Sequence, residues 1–231
     1  MLVSSKNVAK EVLKNEKNIK KVYLIDDFND EEIFLMLKKS NIKPQYLDKR
    51  KFYELADKKA QGIIIDISDY KYCDLEDIIK QDGFIIILDH LEDPHNFGAI
   101  IRTCEAASVD GIIIPKDRSV EVNSTVMKTS VGALNNIKIA QVNNLNQAIE
   151  KLKKEGYWIV GTDMDGEEYT KIDYHGNICL IIGSEGNGMS KLVKENCDFI
   201  AKIPMFGEIN SLNASVATGI MIYEAVRQRK S

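Results

Sequence analysis

The chain has few of the features that mark secreted, membrane or metal-binding proteins. Among its 231 residues are only four cysteines and three histidines. No cysteine stands in a CxxC pair or beside a histidine at zinc-ligand spacing. No apolar run approaches the roughly eighteen residues of a membrane span, and the start, MLVSSKNVAKEVLKNEK, lacks a signal-peptide core. These absences predict reduced thiols, no membrane segment and a cytoplasmic location.

One loop groups polar side chains that resemble a metal site in composition. It carries Asp89, His90, Asp93 and His95 directly after an apolar run. A loop that leaves a strand often carries such residues, and their spacing matches no metal-binding pattern. We therefore predict that the protein binds no metal.

An excess of basic residues is also missing, since the formal net charge is −4 at pH 7. Phosphate contacts supply much of the affinity of nucleic-acid-binding proteins, so an RNA-binding function would require local basic patches. The first 70 residues carry fourteen Lys or Arg and twelve Asp or Glu, whereas the remainder carries seventeen and twenty-three. The positive balance thus lies at the front of the chain.

The first 70 residues alternate between helical and strand patterns. Helices are predicted over residues 5–15, 30–39 and 49–58, and strands over residues 21–25, 45–47 and 62–67. This pattern predicts a compact βαβαβ unit.

The first predicted helix has a row of lysines opposite its apolar face. The row consists of Lys6, Lys10 and Lys14, continued by Lys17, Lys20 and Lys21. Such a row fits contact with RNA phosphates, and it equally fits an ordinary solvated helix face.

Residues 68–82, SDYKYCDLEDIIKQD, are polar and mixed, and predict a linker with one helical turn. From residue 84 onward, continuous apolar runs alternate with helical patterns. Apolar strands separated by helices of about ten residues are typical of a mostly parallel sheet covered on both faces. The predicted fold class is therefore α/β, with ligands at the carboxyl ends of the strands.

Three stretches begin at such strand ends and carry the polar residues expected of a site. They are DPHNFGAIIRTCEAASVDGIIIP at 93–115, IIGSEGNGMS at 181–190 and AKIPMFGEINSLNASVATGIMIYEAVRQR at 201–229. The second stretch is glycine-rich, but its GxxGxG spacing departs from the GxGxxG of dinucleotide-binding loops and no acidic partner follows about twenty residues later. Binding of NAD is therefore disfavoured.

In order and spacing, these stretches resemble the three motifs of the SpoU (TrmH) family of RNA ribose 2′-O-methyltransferases, over residues 84–229. The resemblance implies a trefoil-knotted SPOUT domain with a mostly parallel sheet. Residues 1–70 resemble the L30e-like RNA-binding domain of the RlmB branch, which methylates a guanosine ribose of 23S ribosomal RNA. The implied domains are residues 1–70, a linker at 71–82 and a methyltransferase domain at 83–231.

The resemblance also implies the cofactor and its binding residues. S-adenosyl-L-methionine (SAM) would lie between the glycine loop and the third stretch, held by backbone groups and apolar side chains. The implied cofactor-binding residues are Thr162, Gly183, Ile203, Pro204, Met205 and Leu212. Apolar residues wrap most of the last helix, which favours a homodimer through the C-terminal domain, as the family has; burial of that helix within one chain is the alternative.

The same motifs imply five catalytic residues: Asn96, Arg102, Glu185, Ser211 and Asn213. Transfer to a ribose hydroxyl requires alignment of the attacking oxygen, an acceptor for its proton and a hold on the neighbouring phosphate. A guanidinium stays protonated, so Arg102 is expected to hold phosphate, with Asn96 and Glu185 orienting it. Glu185 or a phosphate oxygen is then the expected proton acceptor.

The chain departs from the family pattern at two positions. Ser108 stands where glycine is common at a helix end, and glycine favours a left-handed cap, so we expect a changed turn there without loss of function. At the start of the first helix, Ser5, Lys6 and Asn7 replace a Gly-x-His run, which removes any specific RNA contact expected of that run.

Two other functions remain open from the sequence. One is a non-catalytic RNA-binding or ribosome-assembly protein that keeps the fold, although the intact set of five residues argues against it. The other is methylation of a transfer RNA ribose. Family members of that kind usually lack the front unit, so its presence here favours ribosomal RNA.

Overall fold

The computed structural model describes residues 1–15, 19–56 and 58–230. The chain divides into two compact units, Met1–Lys71 and Tyr72–Ser231. Within the described residues, no helix combines the length and apolarity needed to cross a membrane.

The first unit contains one mixed four-stranded sheet and three helices. Its elements are β1 (Leu2–Ser4), α1 (Lys6–Asn15), β2 (Ile19–Ile25), α2 (Glu31–Lys39), β3 (Gln45–Leu47), α3 (Lys49–Leu55), a 3₁₀ turn (Lys58–Ala60) and β4 (Ile63–Ile67). The strands lie in the order β1-β4-β2-β3. Strand β4 is antiparallel to both its neighbours, whereas β2 and β3 are parallel.

Two details of this unit differ from the sequence prediction. Strand β1 was not predicted, because its three residues precede the helical pattern directly and its pairing partner β4 lies about sixty residues away. Helix α3 ends at Leu55 rather than at residue 58, since Ala56 takes an extended backbone conformation; residue 57 lies outside the described residues.

The second unit alternates strands and helices around a six-stranded sheet. Its elements are β5 (Phe84–Asp89), α4 (Pro94–Ala106), β6 (Gly111–Pro115), α5 (Ser124–Ser130), β7 (Ile139–Val142), α6 (Leu145–Lys154), β8 (Trp158–Glu168), β9 (Ile178–Gly183), α7 (Lys191–Glu195), β10 (Phe199–Lys202) and α8 (Ala214–Arg229). Short 3₁₀ turns span Leu75–Ile78, Ala133–Asn135 and Tyr169–Lys171.

The sheet of the second unit has the strand order β10-β8-β9-β5-β6-β7. Every pairing between these strands is parallel. Its central strands consist of isoleucine-rich runs such as FIIILD and GIIIP, whose side chains are buried on both faces of the sheet. The predicted α/β fold with a mostly parallel sheet is therefore confirmed.

The end of helix α4 corrects one expectation. Ser108 takes the left-handed conformation that glycine favours, with φ of 58°. Its N–H donates to the Glu105 carbonyl at 3.0 Å, and the Val109 N–H donates to the Cys104 carbonyl at 2.9 Å. This is the hydrogen-bond pattern of a Schellman cap. The prediction of a changed turn is wrong, because serine accepts the strained conformation and the cap keeps its bonds.

Helix α5 is shorter than the sequence pattern indicated. The helical periodicity extends over residues 124–134, but the helix ends at Ser130. Val131 follows in a left-handed conformation with φ of 47°, and a separate 3₁₀ turn begins at Ala133. A β-branched residue in that conformation is strained, so the tertiary structure here overrides the local preference.

Candidate active site

The glycine-rich loop after β9 has a defined geometry. Ser184 and Gly188 exchange two backbone hydrogen bonds, of 3.0 and 2.9 Å, which close the loop into a narrow turn. Gly188 has a positive φ of 65°. A Cβ on Gly183 would lie 2.2 Å from the Gly188 carbonyl carbon, so no larger residue fits there. Glycine is thus required at position 183 by the packing of the loop, and it suits the left-handed backbone at position 188.

A cavity of about 410 Å³ lies beside this loop. Five of the six residues predicted to bind the cofactor line it: Thr162, Gly183, Ile203, Met205 and Leu212. Pro204 is not among the lining residues. The sequence also failed to indicate several other lining residues, among them Asp163, Met164, Asn210 and Ala217. Asp163 and Met164 follow Thr162 outside the three stretches, whereas Asn210 and Ala217 lie within the third stretch, where nothing in their residue type distinguishes them.

The walls of this cavity suit a molecule with both apolar and polar parts. Ile203, Met205 and Leu212 supply apolar side chains, and Leu212 is exposed rather than part of the core. Residues 183–188 of the glycine loop also line the cavity and offer backbone groups to it. The Thr162 hydroxyl is held in place because it donates to the Ile181 carbonyl at 3.0 Å. The cavity volume falls within the range of about 300–1,000 Å³ typical of small-molecule sites.

An acidic side chain on the cavity wall is already neutralised by a lysine. The Lys194 ammonium lies 2.8 Å from Asp163 and 2.9 Å from Asp165. Hydrogen bonds that the Lys194 ammonium donates to Asp163 and Asp165 raise the pKa of Lys194 above its ordinary value. The Asp163 carboxylate therefore adds little net negative charge to the cavity.

Three of the predicted catalytic side chains form one hydrogen-bonded chain. The Asn96 amide donates to Glu185 Oε1. The Asn213 amide donates to Asn96 Oδ1 at 3.0 Å. Residues up to 117 positions apart thus meet, and the first, second and third motifs are joined at one point. Asn96 is the buried member, with 8% of its surface exposed.

Asn213 has a second task at the start of helix α8. Its Oδ1 accepts from the backbone N–H of Ser215 at 3.0 Å and from that of Val216 at 3.4 Å. This is the geometry of an N-cap, which stabilises the first helical turn. The cap fixes the side chain, so its amide group points reliably at Asn96.

The remaining two predicted catalytic residues are placed differently. Ser211 lines the cavity. Arg102 is exposed on helix α4, and among the described residues no hydrogen bond or ion pair reaches its guanidinium. The structure therefore joins Asn96 to Glu185 and Asn213, but it does not show either Asn96 or Glu185 orienting Arg102.

One buried carboxylate near the site was not predicted to have a role. Asp89, at the end of β5, is only 1% exposed. Its Oδ2 accepts the Ser190 N–H at 2.6 Å, and its Oδ1 lies 2.5 Å from His90 Nδ1. Asp89 thus anchors the far end of the glycine loop. The sequence signal is its position at the end of an apolar run, in a loop whose polar residues resemble a metal site in composition.

Metal-ligand chemistry is not organised at this site. Within the described ranges, no group of three or more His, Cys, Asp or Glu side chains is arranged to hold a metal ion. All four cysteines are free thiols. Burial raises the pKa of Cys197 to about 12, so this thiol is not a ready nucleophile at neutral pH.

Comparison with known sequences identifies the family. The sequence pattern described as the SpoU rRNA methylase family matches residues 83–223, more than half of the chain. The chain belongs to the SpoU rRNA methylase family. A second pattern, described as RNA 2′-O ribose methyltransferase substrate binding, matches residues 6–73. This SpoU protein is therefore an RNA methyltransferase.

Relatives and solved structures agree with the SpoU assignment. A Bacillus subtilis protein with a provisional name, TrmH family tRNA/rRNA methyltransferase, is 40% identical over 98% of this chain and 95% of its own. The SpoU methyltransferase AviRb from Streptomyces viridochromogenes, solved in complex with AdoMet, has a TM-score of 0.86 at 23% identity, covering 100% of this chain and 91% of its own. An AdoMet-bound rRNA methyltransferase from Sinorhizobium meliloti has a TM-score of 0.78 at 25% identity, covering 98% and 86%.

Proposed function

We propose that this protein transfers a methyl group from SAM to a ribose 2′-hydroxyl of RNA, and that the target is a guanosine of 23S ribosomal RNA. The observation that carries the proposal is the chain Glu185–Asn96–Asn213, which unites three separated motifs at the edge of one cavity. The substrate-binding pattern at residues 6–73 supports the 2′-hydroxyl as acceptor. The Sinorhizobium meliloti rRNA methyltransferase supports ribosomal RNA as target.

The cavity beside the glycine loop fits SAM. Its apolar side chains match an adenine ring, and the backbone groups of the loop match polar atoms of the nucleoside and amino acid portions. When bound, SAM supplies an electrophilic methyl group on a sulfonium centre. Thr162, Gly183, Ile203, Met205 and Leu212 would hold it, with Pro204 stiffening the turn between Ile203 and Met205.

The hydrogen-bonded chain assigns different roles to its members. Glu185 accepts the proton of the attacking hydroxyl, because its carboxylate is exposed and one of its oxygens is not engaged by Asn96. Asn96 fixes the orientation of Glu185 through its amide, and Asn213 fixes Asn96 in turn. Ser211, two residues before Asn213, lines the cavity and positions the reacting groups.

Arg102 is assigned to the RNA backbone. Its guanidinium carries a full charge, is exposed and has no acidic partner among the residues that the structure describes. A planar fork of donors binds a phosphate in a bidentate manner. Arg102 thus holds the phosphate beside the target ribose, without Asn96 or Glu185 orienting it.

The exposed apolar residues of the last helix support a homodimer through the C-terminal domain. Val216 and Tyr223 lie seven residues apart on one face of α8, and 51% and 53% of their surfaces are exposed. A second copy would cover this stripe. The dimer, the trefoil knot and the cytoplasmic location are parts of the same proposal.

The domain roles follow from the pattern matches. We assign residues 1–70 to RNA substrate binding, 71–82 to a linker and 83–231 to methyl transfer. A transfer RNA ribose is the second candidate target, because the name of the Bacillus subtilis relative includes both tRNA and rRNA.

Mapping of ribose methylation tests the target. RNA from cells that lack the protein is compared with RNA from cells that express it, and purified protein with labelled SAM must restore the missing methyl group. We expect one lost 2′-O-methyl mark, on a guanosine of 23S RNA. A lost mark in transfer RNA would replace the target, and absence of SAM binding by the purified protein would overturn the enzyme assignment in favour of a non-catalytic role.

A further inference from the structure

A second cavity, of about 650 Å³, also borders the glycine loop. Its walls come from the carboxyl ends of β5, β6 and β9, which are neighbours in the sheet. Residues 184–188 line both cavities, so the loop forms a wall that the two share. Glu185 therefore borders both spaces, although only the first cavity corresponds to the predicted cofactor site.

Hydrogen bonds fix the walls of the second cavity. The buried carboxylate of Asp89 holds the Ser190 N–H at 2.6 Å and contacts His90 Nδ1 at 2.5 Å. The Leu91 carbonyl accepts the Val120 N–H at 2.7 Å, which ties the loop after β5 to the loop after β6. Three strand ends are thus joined into one frame, as expected of a pre-formed site.

Two lining residues have strained backbone conformations. His90 has φ of 58° and Arg118 has φ of 51°, both in the left-handed region that non-glycine residues rarely adopt. Such conformations persist where the surrounding structure determines them, and they concentrate at binding sites. Both strained residues line the same cavity.

Two charged groups of this cavity, Arg118 and Glu92, lack partners among the described residues. Arg118 and Glu92 are exposed, and among the described residues neither makes a hydrogen bond or ion pair. A guanidinium fork matches a phosphate. A carboxylate has only acceptors, so it matches two adjacent N–H donors, which guanine presents on its Watson–Crick edge.

We propose that the second cavity binds the nucleotide that is methylated, with Arg118 on the phosphate at one side of its ribose, Arg102 on the phosphate at the other side, and Glu92 on the Watson–Crick edge of a guanine. The proposal rests on the proposed function, because it places the acceptor beside the methyl donor, where both cavities border residues 184–188 of the glycine loop. Glu185 then borders the acceptor and the donor together. It also gives a structural reason for selection of guanosine.

Binding of a small probe to the full-length protein tests the cavity separately from catalysis. Guanosine 5′-monophosphate is titrated while the ring signals of the three histidines are followed by NMR. We expect His90 to shift saturably, and we expect His175, which does not line the cavity, to stay unchanged. Adenosine 5′-monophosphate should bind more weakly. A His90 signal that does not respond to guanosine 5′-monophosphate would overturn the proposal.

Substitutions identify the groups involved. Arg118→Ala should weaken binding of guanosine 5′-monophosphate and raise the KM for RNA about tenfold or more, the scale of one lost charged hydrogen bond. Lys116→Ala is the matched control, because Lys116 is exposed in the same loop and does not line the cavity. Glu92→Gln should reduce the preference for guanosine over adenosine monophosphate. Equal effects of Arg118→Ala and Lys116→Ala would contradict the proposal.

A measurement of SAM binding distinguishes failure of the proposed function from failure of the nucleotide-site proposal. Arg118→Ala should bind SAM as the unsubstituted protein does, since Arg118 is absent from the first cavity. If the protein binds no SAM but guanosine 5′-monophosphate shifts His90, the proposed function fails and the nucleotide site stands. If RNA is methylated but Arg118→Ala leaves the KM for RNA unchanged, the site assignment alone fails.

Discussion

Lys6 and Lys10 of helix α1 differ from Arg102 and Arg118 near the candidate active site in whether an acidic side chain already pairs with them. In the first unit, the Lys6 ammonium lies 3.0 Å from Asp30, and Lys10 pairs with Glu32. In the second unit, Arg102 and Arg118 have no such partner among the described residues. A cation without an internal partner can bind phosphate without first losing an ion pair, so local charge count alone is a poor guide to RNA contact.

This contrast changes the interpretation of the predicted lysine row. Lys6 and Lys10 connect helix α1 to the start of helix α2, which favours a structural role for them. Lys20 is exposed without an acidic partner in the described part of the chain, whereas Lys14 interacts with Glu11 and Lys17 lies outside that part. The row therefore divides into paired and unpaired members.

We expect the largest effect on RNA methylation from replacing the guanidinium group of an arginine that has no acidic partner. Arg102→Lys keeps the charge but loses bidentate geometry, and we expect kcat/KM for RNA methylation to fall about a hundredfold. Binding of SAM, measured by calorimetry, should change less than about twofold. Arg227→Lys is the control, because Arg227 pairs with Glu224 on helix α8. Near-normal turnover of Arg102→Lys would defeat the bidentate role.

The ion pair of a paired arginine should instead make the free energy of unfolding depend on pH. Hydrogen bonds from Arg227 lower the pKa of Glu224 below its ordinary value of 4.5. The stabilising contribution is therefore present above pH 4.5 and is lost as the pH falls through the lower folded-state pKa. Glu224→Gln should be less stable than the unsubstituted protein at pH 7, and the two urea unfolding curves should converge as the pH falls below the folded-state pKa of Glu224. A gap that widens on acidification would show the opposite linkage.

A smaller effect is expected from a change that leaves every charge in place. Ser108 ends the helix that carries Arg102, and its left-handed backbone is strained. Ser108→Gly should raise the free energy of unfolding by about 0.5–1 kcal/mol, with turnover unchanged. Ser108→Ala, which keeps the strain, should give no gain. Thermal and urea unfolding measure both variants, and equal stabilities of Gly and Ala at this position would refute the strain.

The smallest effect should come from the paired lysines. If Lys6 and Lys10 serve structure only, Lys6→Ala and Lys10→Ala should change the Kd for RNA less than about twofold and leave its salt dependence unchanged. Lys20→Ala, which removes an unpaired cation, is the comparison. A decrease of about one in the salt slope for either paired lysine would instead place it on a phosphate.

The sequence predicted those parts of the fold that depend on local composition. The runs Ile85–Ile87 and Ile112–Ile114 predicted strands buried on both faces, because such strands do not alternate polar and apolar residues. It did not predict β1, whose stability comes from a distant partner, or the end of α5 at Ser130, where Val131 takes a left-handed conformation that its residue type disfavours.

The candidate site was accessible from sequence to a similar degree. The glycine loop and the polar turn before α8 stand out by residue type, and the resemblance to a family connected them to a cofactor. Contacts between residues far apart in the sequence could not be predicted, because they depend on the order of the strands in the sheet. The bond from Ser190 to Asp89 spans 101 residues, and the second cavity depends on three strand ends meeting in the sheet.

The shared glycine loop limits how this protein can diverge. Residues 184–188 face both cavities, so a substitution there that improves one compartment also alters the other. Gly183 cannot enlarge without displacing Gly188. A related protein with a new RNA target would therefore have to change residues that line only the second cavity, such as Glu92 and Arg118, while residues 184–188 of the glycine loop stay the same.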